Sequence, residues 1–374
     1  MPDANGPRSA LLVCLSAALS VGRVPLALHR RGWVVDAFTP RWTHLWDSSL
    51  LRERIEAPDD RRAVADAVLK LIASGRWERV YLADETALLM AIEDGRPELA
   101  ALIPADSKRL PHQRLCDKGF LATWAPENGI PVPAGVEATS AEAAVEWWAQ
   151  RPGLPIILKP VDGMAGKGIF RPRTPDELRS SWRAGTTYVI QEYIQGRRLI
   201  GDWVAHGGRL RAVALCENYR SYGAYGIALE RRYEAAERFV PLAGRIAESL
   251  GYTGFGSADI IEAPDGRLLV IEFHMRSTTG LFYRELSGVD LIHAWDEPGD
   301  KVLVGRAGGR VVQFPESVSC ALEHGRIGTA LGEFLQPSLW RFMCWGDAGQ
   351  LRRQWWEVRR AFAVSRRRGN RQPS

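Results

Sequence analysis

The sequence lacks the features that mark several common protein classes. Its five cysteines are scattered along 374 residues with no CxxC pair, which argues against a zinc module or a disulfide framework. No apolar run reaches the length of about eighteen residues that a membrane-spanning helix needs. The turn after the first predicted strand has no GxGxxG pattern, which argues against dinucleotide binding there. These absences predict a protein of the reducing cytoplasm.

The net charge of +5 is concentrated at one end of the chain. Residues 351–374 contain eight arginines and a single acid, Glu357, so the rest of the chain is slightly acidic. Four apolar residues in this segment recur at the spacing of one helix face: Leu351, Trp355, Val358 and Phe362. The pattern predicts a basic amphipathic helix, followed by a disordered tail from about Arg366.

Two interpretations of this C-terminal helix stay open. The helix packs on the body of the protein with its basic face in solvent, or it makes a peripheral contact with an anionic membrane. Tryptophan together with arginine is the typical composition of the second case. No recognition motif for nucleic acid accompanies the basic charge, so we expect no nucleic-acid partner.

The N-terminal part alternates strands and helices. A strand–helix–strand unit over residues 11–38 predicts a parallel sheet. A later strand over residues 79–83 ends in Asp84 and Glu85, and ligands bind at such strand ends in open parallel sheets. The two acids either face a substrate or cap the following helix. We expect this domain to cover residues 1–108.

A lysine and a glycine-rich loop follow one of the central strands. The apolar run 154–160 contains Lys159 near its end, and glycines recur directly after it in the loop 163–168. A lysine at the end of a buried strand is costly unless its charge is compensated, and glycines let backbone amides approach an anion. The order predicts a phosphate-binding loop, with a glycine-rich hairpin turn as the alternative. Lys118, in the first turn of a predicted helix over 117–127, is either solvent-exposed or a second ligand.

The segment 254–280 reads as two strands joined by a tight turn. Asp259 lies in the first strand, and Glu272 and His274 end the second two residues apart, so their side chains share one face. Arg276 follows at the same parity. The cluster is either a hairpin edge with solvated charges or a site for a divalent metal that carries phosphates.

In this order, the motifs resemble those of the ATP-grasp superfamily, which includes biotin carboxylase and carbamoyl phosphate synthetase. The resemblance implies a mixed α/β (α+β) fold with a parallel N-terminal domain, a two-subdomain ATP-grasp fold and a helical C-terminal extension. The expected boundaries are 1–108 for the first domain, 109–297 for the ATP-grasp domain, 130–196 for its small lid subdomain, and 298–374 for the extension with its basic helix and disordered tail.

The resemblance also implies roles for individual residues. Two lysines bind the ATP phosphates in the family, which corresponds to Lys118 and Lys159. The loop that closes over the phosphates corresponds to Gly163, Met164, Ala165, Gly166 and Gly168. The backbone that holds adenine corresponds to Gln191, Glu192 and Ile194. The metal ligands correspond to Asp259, Glu272 and His274, and the catalytic groups to Arg276 and Lys159.

The function that the resemblance implies is an ATP-dependent carboxylate–amine ligase. It would activate a carboxylate as an acyl phosphate and join it to an amine or another nucleophile, with ATP and Mg²⁺ or Mn²⁺, releasing ADP and phosphate. Arg220, Tyr222 and Tyr225 are candidates for holding the substrate carboxylate, or they form an ordinary exposed loop. The oligomeric state is open, with a dimer as one candidate.

Two departures from the family pattern point to an alternative. His274 stands where the family usually has asparagine, and an imidazole suits softer metals than Mg²⁺. The acid that often holds the ribose after the hinge is replaced by the sequence GRRL over residues 196–199. The alternative is a degenerate, non-catalytic ATP-binding subunit or scaffold recruited by its basic tail.

Overall fold

The N-terminal sheet is parallel, as the strand–helix alternation predicts. A computed structural model describes residues 8–115, 117–161, 166–223, 225–276, 284–297 and 299–369. Its first sheet has the order β3-β2-β1-β4. The elements of this part are β1 (Ser9–Val13), α1 (Val24–His29), β2 (Val34–Thr39), β3 (Leu51–Glu56), α2 (Arg61–Ala73), β4 (Arg79–Leu82), α3 (Glu85–Asp94) and α4 (Pro97–Ala100).

A small antiparallel sheet follows, with the order β5-β7-β6. Its elements and their preceding helix are α5 (Lys118–Glu127), β5 (Gly135–Ala138), α6 (Ala141–Ala149), β6 (Ile156–Pro160), α7 (Pro175–Ser181) and β7 (Tyr188–Glu192). Side-chain caps begin the helices: Asp117 accepts from the amide of Phe120, and Ser140 accepts from the amide of Ala143. Both helices begin within one residue of their predicted starts.

A larger, mostly antiparallel sheet forms the centre of the molecule, in the order β12-β11-β8-β9-β10-β14, with β13 paired to β9. Its elements are β8 (Arg197–His206), β9 (Arg209–Ser221), β10 (Ala228–Glu234), α8 (Val240–Leu250), β11 (Gly254–Glu262), β12 (Leu268–His274), α9 (Arg284–Ser287), α10 (Leu291–Asp296), β13 (Leu303–Val304) and β14 (Arg310–Val312). The predicted hairpin is β11 and β12. The C-terminal extension thus adds two short strands to the sheet before it becomes helical.

The C-terminal helices pack on the far end of this sheet. They are α11 (Glu316–Glu323), α12 (Ile327–Phe334), α13 (Pro337–Trp340) and α14 (Ala348–Gly369). Their buried core includes Phe314, Val318 and Val358, which meet Cys216 and Tyr233 of the sheet. Within the described residues, no helix is both long and apolar enough to cross a bilayer.

The buried face of α14 differs from the predicted stripe. Val358 and Ala361 are buried, but Trp355 and Phe362 are 40% and 41% exposed. The other buried side chains among the described positions of α14 are those of Gln350 and Gln354, whose amides donate to the carbonyl oxygens of His44 and Phe314. A stripe of apolar residues could not reveal these polar anchors.

The end of α14 overlaps the predicted tail. The helix continues to Gly369, so residues 366–369 of the segment expected to be disordered are described as helical. Residues 370–374 lie outside the described part of the chain.

Candidate active site

The hairpin of β11 and β12 forms the floor of the candidate site. Asp259 lies directly opposite Glu272 in the strand pairing, and Ser257 lies opposite His274. Because directly opposed residues project to the same side of a sheet, the predicted metal ligands Asp259, Glu272 and His274 share one face. Ser257 is fully buried on this face, and its hydroxyl has no hydrogen-bond partner among the described residues.

Asp259 and His274 interact directly. Nε2 of His274 lies 3.7 Å from Oδ2 of Asp259. Burial opposes the charge of the imidazolium, but the contact with Asp259 and the charge of Glu272 outweigh it and raise the pKa of His274. Burial also opposes ionisation of Asp259, yet His274 and the charge of Arg198 lower the pKa of Asp259. The pair therefore favours an ionised carboxylate.

Lys118 reaches the same floor from α5. Its Nζ lies 3.5 Å from Oε1 of Glu272, and its side chain is mostly buried. The Asp117 cap fixes the start of this helix and so the position of Lys118 in its first turn. The structure thus brings the first predicted phosphate lysine against the second predicted metal carboxylate.

Lys159 extends from β6 and is held by a neighbouring strand. Its Nζ donates to Oε1 of Gln191 at 3.0 Å. Burial lowers the pKa of Lys159 to about 8, while the charges of Glu272 and Asp259 act in the opposite direction and that of Lys118 adds to the lowering. Among the described residues, this ammonium donates to an amide oxygen and forms no ion pair with a carboxylate, so its charge can act on an anion.

The predicted adenine residues lie at the end of β7. Gln191 pairs with Gly135 on one side and Ile157 on the other, and its side chain, rather than its backbone, faces Lys159. The amide of Glu192 donates to the carbonyl oxygen of Ala134 at 2.7 Å. Ile194 lies two residues beyond the end of β7, outside the strand ladder. Backbone contact with a base is therefore most accessible at Ile194 and at the carbonyl of Glu192.

Only part of the predicted phosphate loop is described. Gly166 and Gly168 have φ values of +76° and +75°, a left-handed conformation that favours glycine. A Cβ on Gly166 would lie 2.5 Å from the carbonyl oxygen of Tyr225, so the two loops are in close contact. The other predicted members, Gly163, Met164 and Ala165, lie outside the described residues.

The acids that end β4 take different roles. Asp84 is buried and caps α3 through the amide of Ala87, and it also accepts from the amides of Leu15 and Ser16. Glu85 instead faces the hairpin. Its carboxylate, that of Glu272 and a ring nitrogen of His274 lie within 4.8 Å of one another.

Arg276 joins this group from the segment after β12. Its Nη2 lies 3.9 Å from Oε2 of Glu85. The sequence marked Glu85 only as a substrate-facing or capping acid, because its meeting with the hairpin depends on how the parallel sheet packs against β12. The site therefore combines an acid of the N-terminal sheet with the cluster of the hairpin.

The predicted substrate residues are separated. Arg220 forms ion pairs with Glu333 at 2.5 Å and with Glu230 at 3.5 Å, which ties β9 to α12. Tyr222 packs near the ring of His324, and Tyr225 adjoins Gly166. Arg220 is thus occupied by the C-terminal helices, and only Tyr225 adjoins the phosphate loop.

One further arginine, which the sequence analysis did not select, influences the floor. Arg198 on β8 contributes to the lowered pKa of Asp259 and to that of Lys159. Its guanidinium also donates to the carbonyl oxygen of Gly226, close to Tyr225. Side chains alternate between the two faces of β8, so the pairing of β8 with β11 shows that Arg198 lies on the same face as Asp259.

Comparison with known proteins identifies the domain that contains these residues. The model of the ATP-grasp domain family matches residues 115–280, which include both lysines, the glycine loop and the hairpin. Residues 115–280 are an ATP-grasp domain. A D-alanine–D-alanine ligase of Pseudomonas fluorescens is 27% identical over 168 residues, which cover 38% of this chain and 48% of the relative. The chain thus spans about half the length of that curated relative.

Solved structures show that the fold surrounding the ATP-grasp domain is shared as well. A biotin carboxylase domain of 2-oxoglutarate carboxylase from Hydrogenobacter thermophilus, solved with MgADP and bicarbonate, has a TM-score of 0.63 at 16% identity, covering 82% of this chain and 74% of that one. An N5-carboxyaminoimidazole ribonucleotide synthetase solved with ADP has a TM-score of 0.63 at 15% identity, covering 86% and 85%. At such identities the likeness establishes the fold.

Proposed function

We propose that this protein is an ATP-dependent ligase that activates a carboxylate as an acyl phosphate and joins it to an amine or another nucleophile. The observation that carries the proposal is the convergence of two lysines, two hairpin carboxylates and Arg276 at one floor. The contacts of Lys118 with Glu272 and of His274 with Asp259 link the cluster. Such a set of opposite charges is costly to hold together without a use.

The donor groups fit a divalent cation. Glu85, Glu272 and His274 offer two carboxylates and an imidazole within 4.8 Å, and Nδ1 of His274 is buried without a hydrogen-bond partner among the described residues. Carboxylate oxygens suit Mg²⁺, and the imidazole also suits Mn²⁺. Asp259 would support the set through its contact with His274. Bound there, the ion would neutralise charge on the phosphates of ATP.

The remaining residues have roles that follow from their charge and position. Lys118 and Lys159 would bind the phosphates, and the amide of Ile194 with the carbonyl of Glu192 would hold adenine. Arg276 would stabilise the negative charge that develops on the acyl phosphate. The loop that contains Gly166 would cover the site and exclude water, which otherwise hydrolyses that intermediate.

The reaction has two steps. An oxygen of the substrate carboxylate attacks the γ-phosphorus of ATP, and the bond from that phosphorus to the ADP oxygen breaks. The nitrogen of the amine then attacks the acyl carbon, the bond from that carbon to the phosphate oxygen breaks, and the nitrogen loses a proton. The products are the amide, ADP and phosphate.

Trapping the activated carboxylate tests the proposal without knowledge of the natural amine. Purified protein is incubated with ATP, Mg²⁺ or Mn²⁺, hydroxylamine and a panel of carboxylates, and both phosphate and hydroxamate are measured. We expect one class of carboxylate to yield both in equal amounts. Tight ATP binding with neither product for any carboxylate would contradict the ligase and support the non-catalytic scaffold.

A further inference from the structure

The outer side of α12 is apolar and uncovered. Ile327, Leu331 and Leu335 recur at intervals of four residues, and their exposed fractions are 52%, 62% and 84%. Gly328 and Gly332 lie beside them, and a Cβ at either glycine would meet no atom within 4 Å. None of the described residues covers this side of the helix, although aliphatic side chains of this size are normally buried.

Aromatic rings continue the apolar side of α12 across the next two helices. Phe334 stacks on Trp355 of α14 with ring centroids 5.7 Å apart, and it lies 6.4 Å from Trp340. Trp340 in turn stacks on Trp345 at 6.4 Å. The three tryptophans are each at least one third exposed. We call this continuous patch the α12–α14 surface, and it consists of Ile327, Leu331, Phe334, Leu335, Trp340, Trp345, Trp355 and Phe362.

Exposed arginines border the α12–α14 surface. Arg352 and Arg359 lie three residues before and four residues after Trp355, so they share its side of α14. Arg341 follows Trp340 directly and is also exposed. This alternation of arginine with large apolar side chains is typical of helices that lie in the interface of a membrane.

The segment that forms this surface offers few acids to balance these arginines. Between residues 327 and 365, all of which are described, the acids are Glu333, Asp347 and Glu357. Glu333 and Asp347 are buried, and the side chain of Glu357 is 12% exposed and pairs with Arg353 and Arg360. Outside this segment, Asp47 pairs with Arg353, and the charge of Arg352 also acts on it. The α12–α14 surface therefore presents mainly positive charge.

We propose that the α12–α14 surface docks on a lipid bilayer that contains anionic headgroups. The leucines of α12 enter the boundary of the acyl chains, the tryptophans lie at the level of the headgroups, and the arginines bind headgroup phosphates. A nucleic acid would bind the arginines but would leave the exposed leucines without an apolar partner. A symmetric contact with a second copy would bring two positively charged faces together.

Sedimentation with vesicles tests this proposal on the full chain. The protein is mixed with vesicles of phosphatidylcholine alone or of phosphatidylcholine with phosphatidylserine. We expect sedimentation with the anionic vesicles only, and a decrease as salt is raised. The double variant Leu331→Ser with Leu335→Ser should bind these vesicles about a hundredfold more weakly, because two leucines no longer enter the bilayer.

Matched controls distinguish the effect of the α12–α14 surface from that of removing exposed apolar or charged side chains elsewhere on the protein. Leu303→Ser with Ile227→Ser removes two exposed apolar side chains elsewhere and should leave vesicle binding unchanged. Arg352→Gln with Arg359→Gln should weaken binding about twenty-fivefold, at about fivefold for each arginine near the surface. Arg62→Gln with Arg209→Gln removes the same charge from other exposed positions and should have little effect.

Three results would overturn the proposal. The first is that the protein fails to sediment with anionic vesicles. The second is that the Leu331→Ser, Leu335→Ser variant, with an unchanged melting temperature, binds them as well as the original protein. The third is that the protein is a dimer in solution and that this variant is a monomer, which would assign the surface to a second copy.

Discussion

The floor of the candidate site and the α12–α14 surface hold their charged side chains in different ways. At the floor, Lys118 pairs with Glu272 and His274 with Asp259, and each pair joins groups of opposite sign. At the α12–α14 surface, Arg352 and Arg359 are exposed and no accessible carboxylate within residues 327–365 opposes them. The first region is a converging set of partners, and the second is a one-sided border around apolar side chains.

This difference suits the floor to catalysis and the α12–α14 surface to membrane binding. Charges that converge in a partly buried place perturb one another, as the lowered pKa of Asp259 and the raised pKa of His274 show against the effect of burial, and such groups can bind and polarise a ligand. Exposed charges of one sign are screened by salt and act mainly on large, oppositely charged partners. Changes at the floor should therefore alter turnover, whereas changes at the α12–α14 surface should alter attachment and leave turnover in solution intact.

The largest expected effect is that of Glu272→Gln. The amide keeps the shape of the side chain but removes a charge from the proposed metal site and from the contact with Lys118. We expect turnover to fall about a thousandfold, as for the loss of one group that stabilises transition-state charge, while vesicle binding is unchanged. Phosphate release measures the first quantity and sedimentation the second.

Asp265→Asn, in the exposed turn of the same hairpin, is the matched control for Glu272→Gln and should retain full activity. If Glu272→Gln keeps its activity, the assignment of the hairpin to the active site is wrong. If the double variant Arg352→Gln with Arg359→Gln loses as much turnover as Glu272→Gln, the two regions do not have separate functions.

Gly166→Ala should have the next largest effect. At φ +76° an alanine is strained, and its Cβ would lie 2.5 Å from the carbonyl oxygen of Tyr225. We expect the KM for ATP to rise about thirtyfold, because the loop can no longer take the described conformation over the phosphates. The steady-state kinetics of phosphate release give this value.

Gly153→Ala is the control for Gly166→Ala. Gly153 has a similar φ of +81°, but a Cβ there meets no atom within 4 Å. The backbone strain is therefore matched and the contact is missing, so we expect an ordinary KM. A KM that rises equally in both variants would show that the loss comes from strain in the small sheet region and not from the contact with Tyr225.

The parts of the site that the sequence could predict are those set by local pattern. The spacing of Glu272 and His274 fixes their shared face, and the apolar run before Lys159 fixes its strand. Asp117 as a helix cap places Lys118 in the first turn of α5. Each of these expectations depends on a few neighbouring residues.

The parts that the sequence could not decide depend on packing between distant segments. Glu85, the first residue of α3, lies near Glu272 although the two are far apart in the sequence. Arg220 was a substrate candidate, but Glu333 from α12 binds it. The sequence does not predict the burial of Gln350, because this polar side chain is held by a hydrogen bond to the backbone carbonyl of His44 and not by hydrophobicity.

The pH dependence of ATP use should show a smaller effect. The pKa of Lys159 is about 8, below the ordinary 10.5, because burial disfavours its charged form. If the ammonium binds the phosphates as proposed, kcat/KM for ATP should fall as pH rises through 8 and be about tenfold lower at pH 9 than its plateau. Lys159 lies outside the α12–α14 surface, so vesicle binding should stay constant over the same pH range.

Lys159→Arg tests the assignment of this pH dependence. A guanidinium keeps its proton at every pH of the experiment, so the fall above pH 8 should disappear even if the plateau is lower. A profile that stays flat to pH 9 in the original protein, or one that falls identically in Lys159→Arg, would assign the titration to another group.

The smallest expected effect is that of His274→Asn, and it sharpens the description of the floor. The substitution replaces the imidazole nitrogen of the proposed metal site by an amide oxygen, which favours Mg²⁺ over Mn²⁺. We expect the ratio of activity with Mg²⁺ to activity with Mn²⁺ to rise about fivefold. His206→Asn, at the exposed end of β8, should leave the ratio unchanged. An unchanged ratio in His274→Asn would show that His274 contacts Asp259 without binding the metal, so that Glu85 and Glu272 would hold the ion without an imidazole.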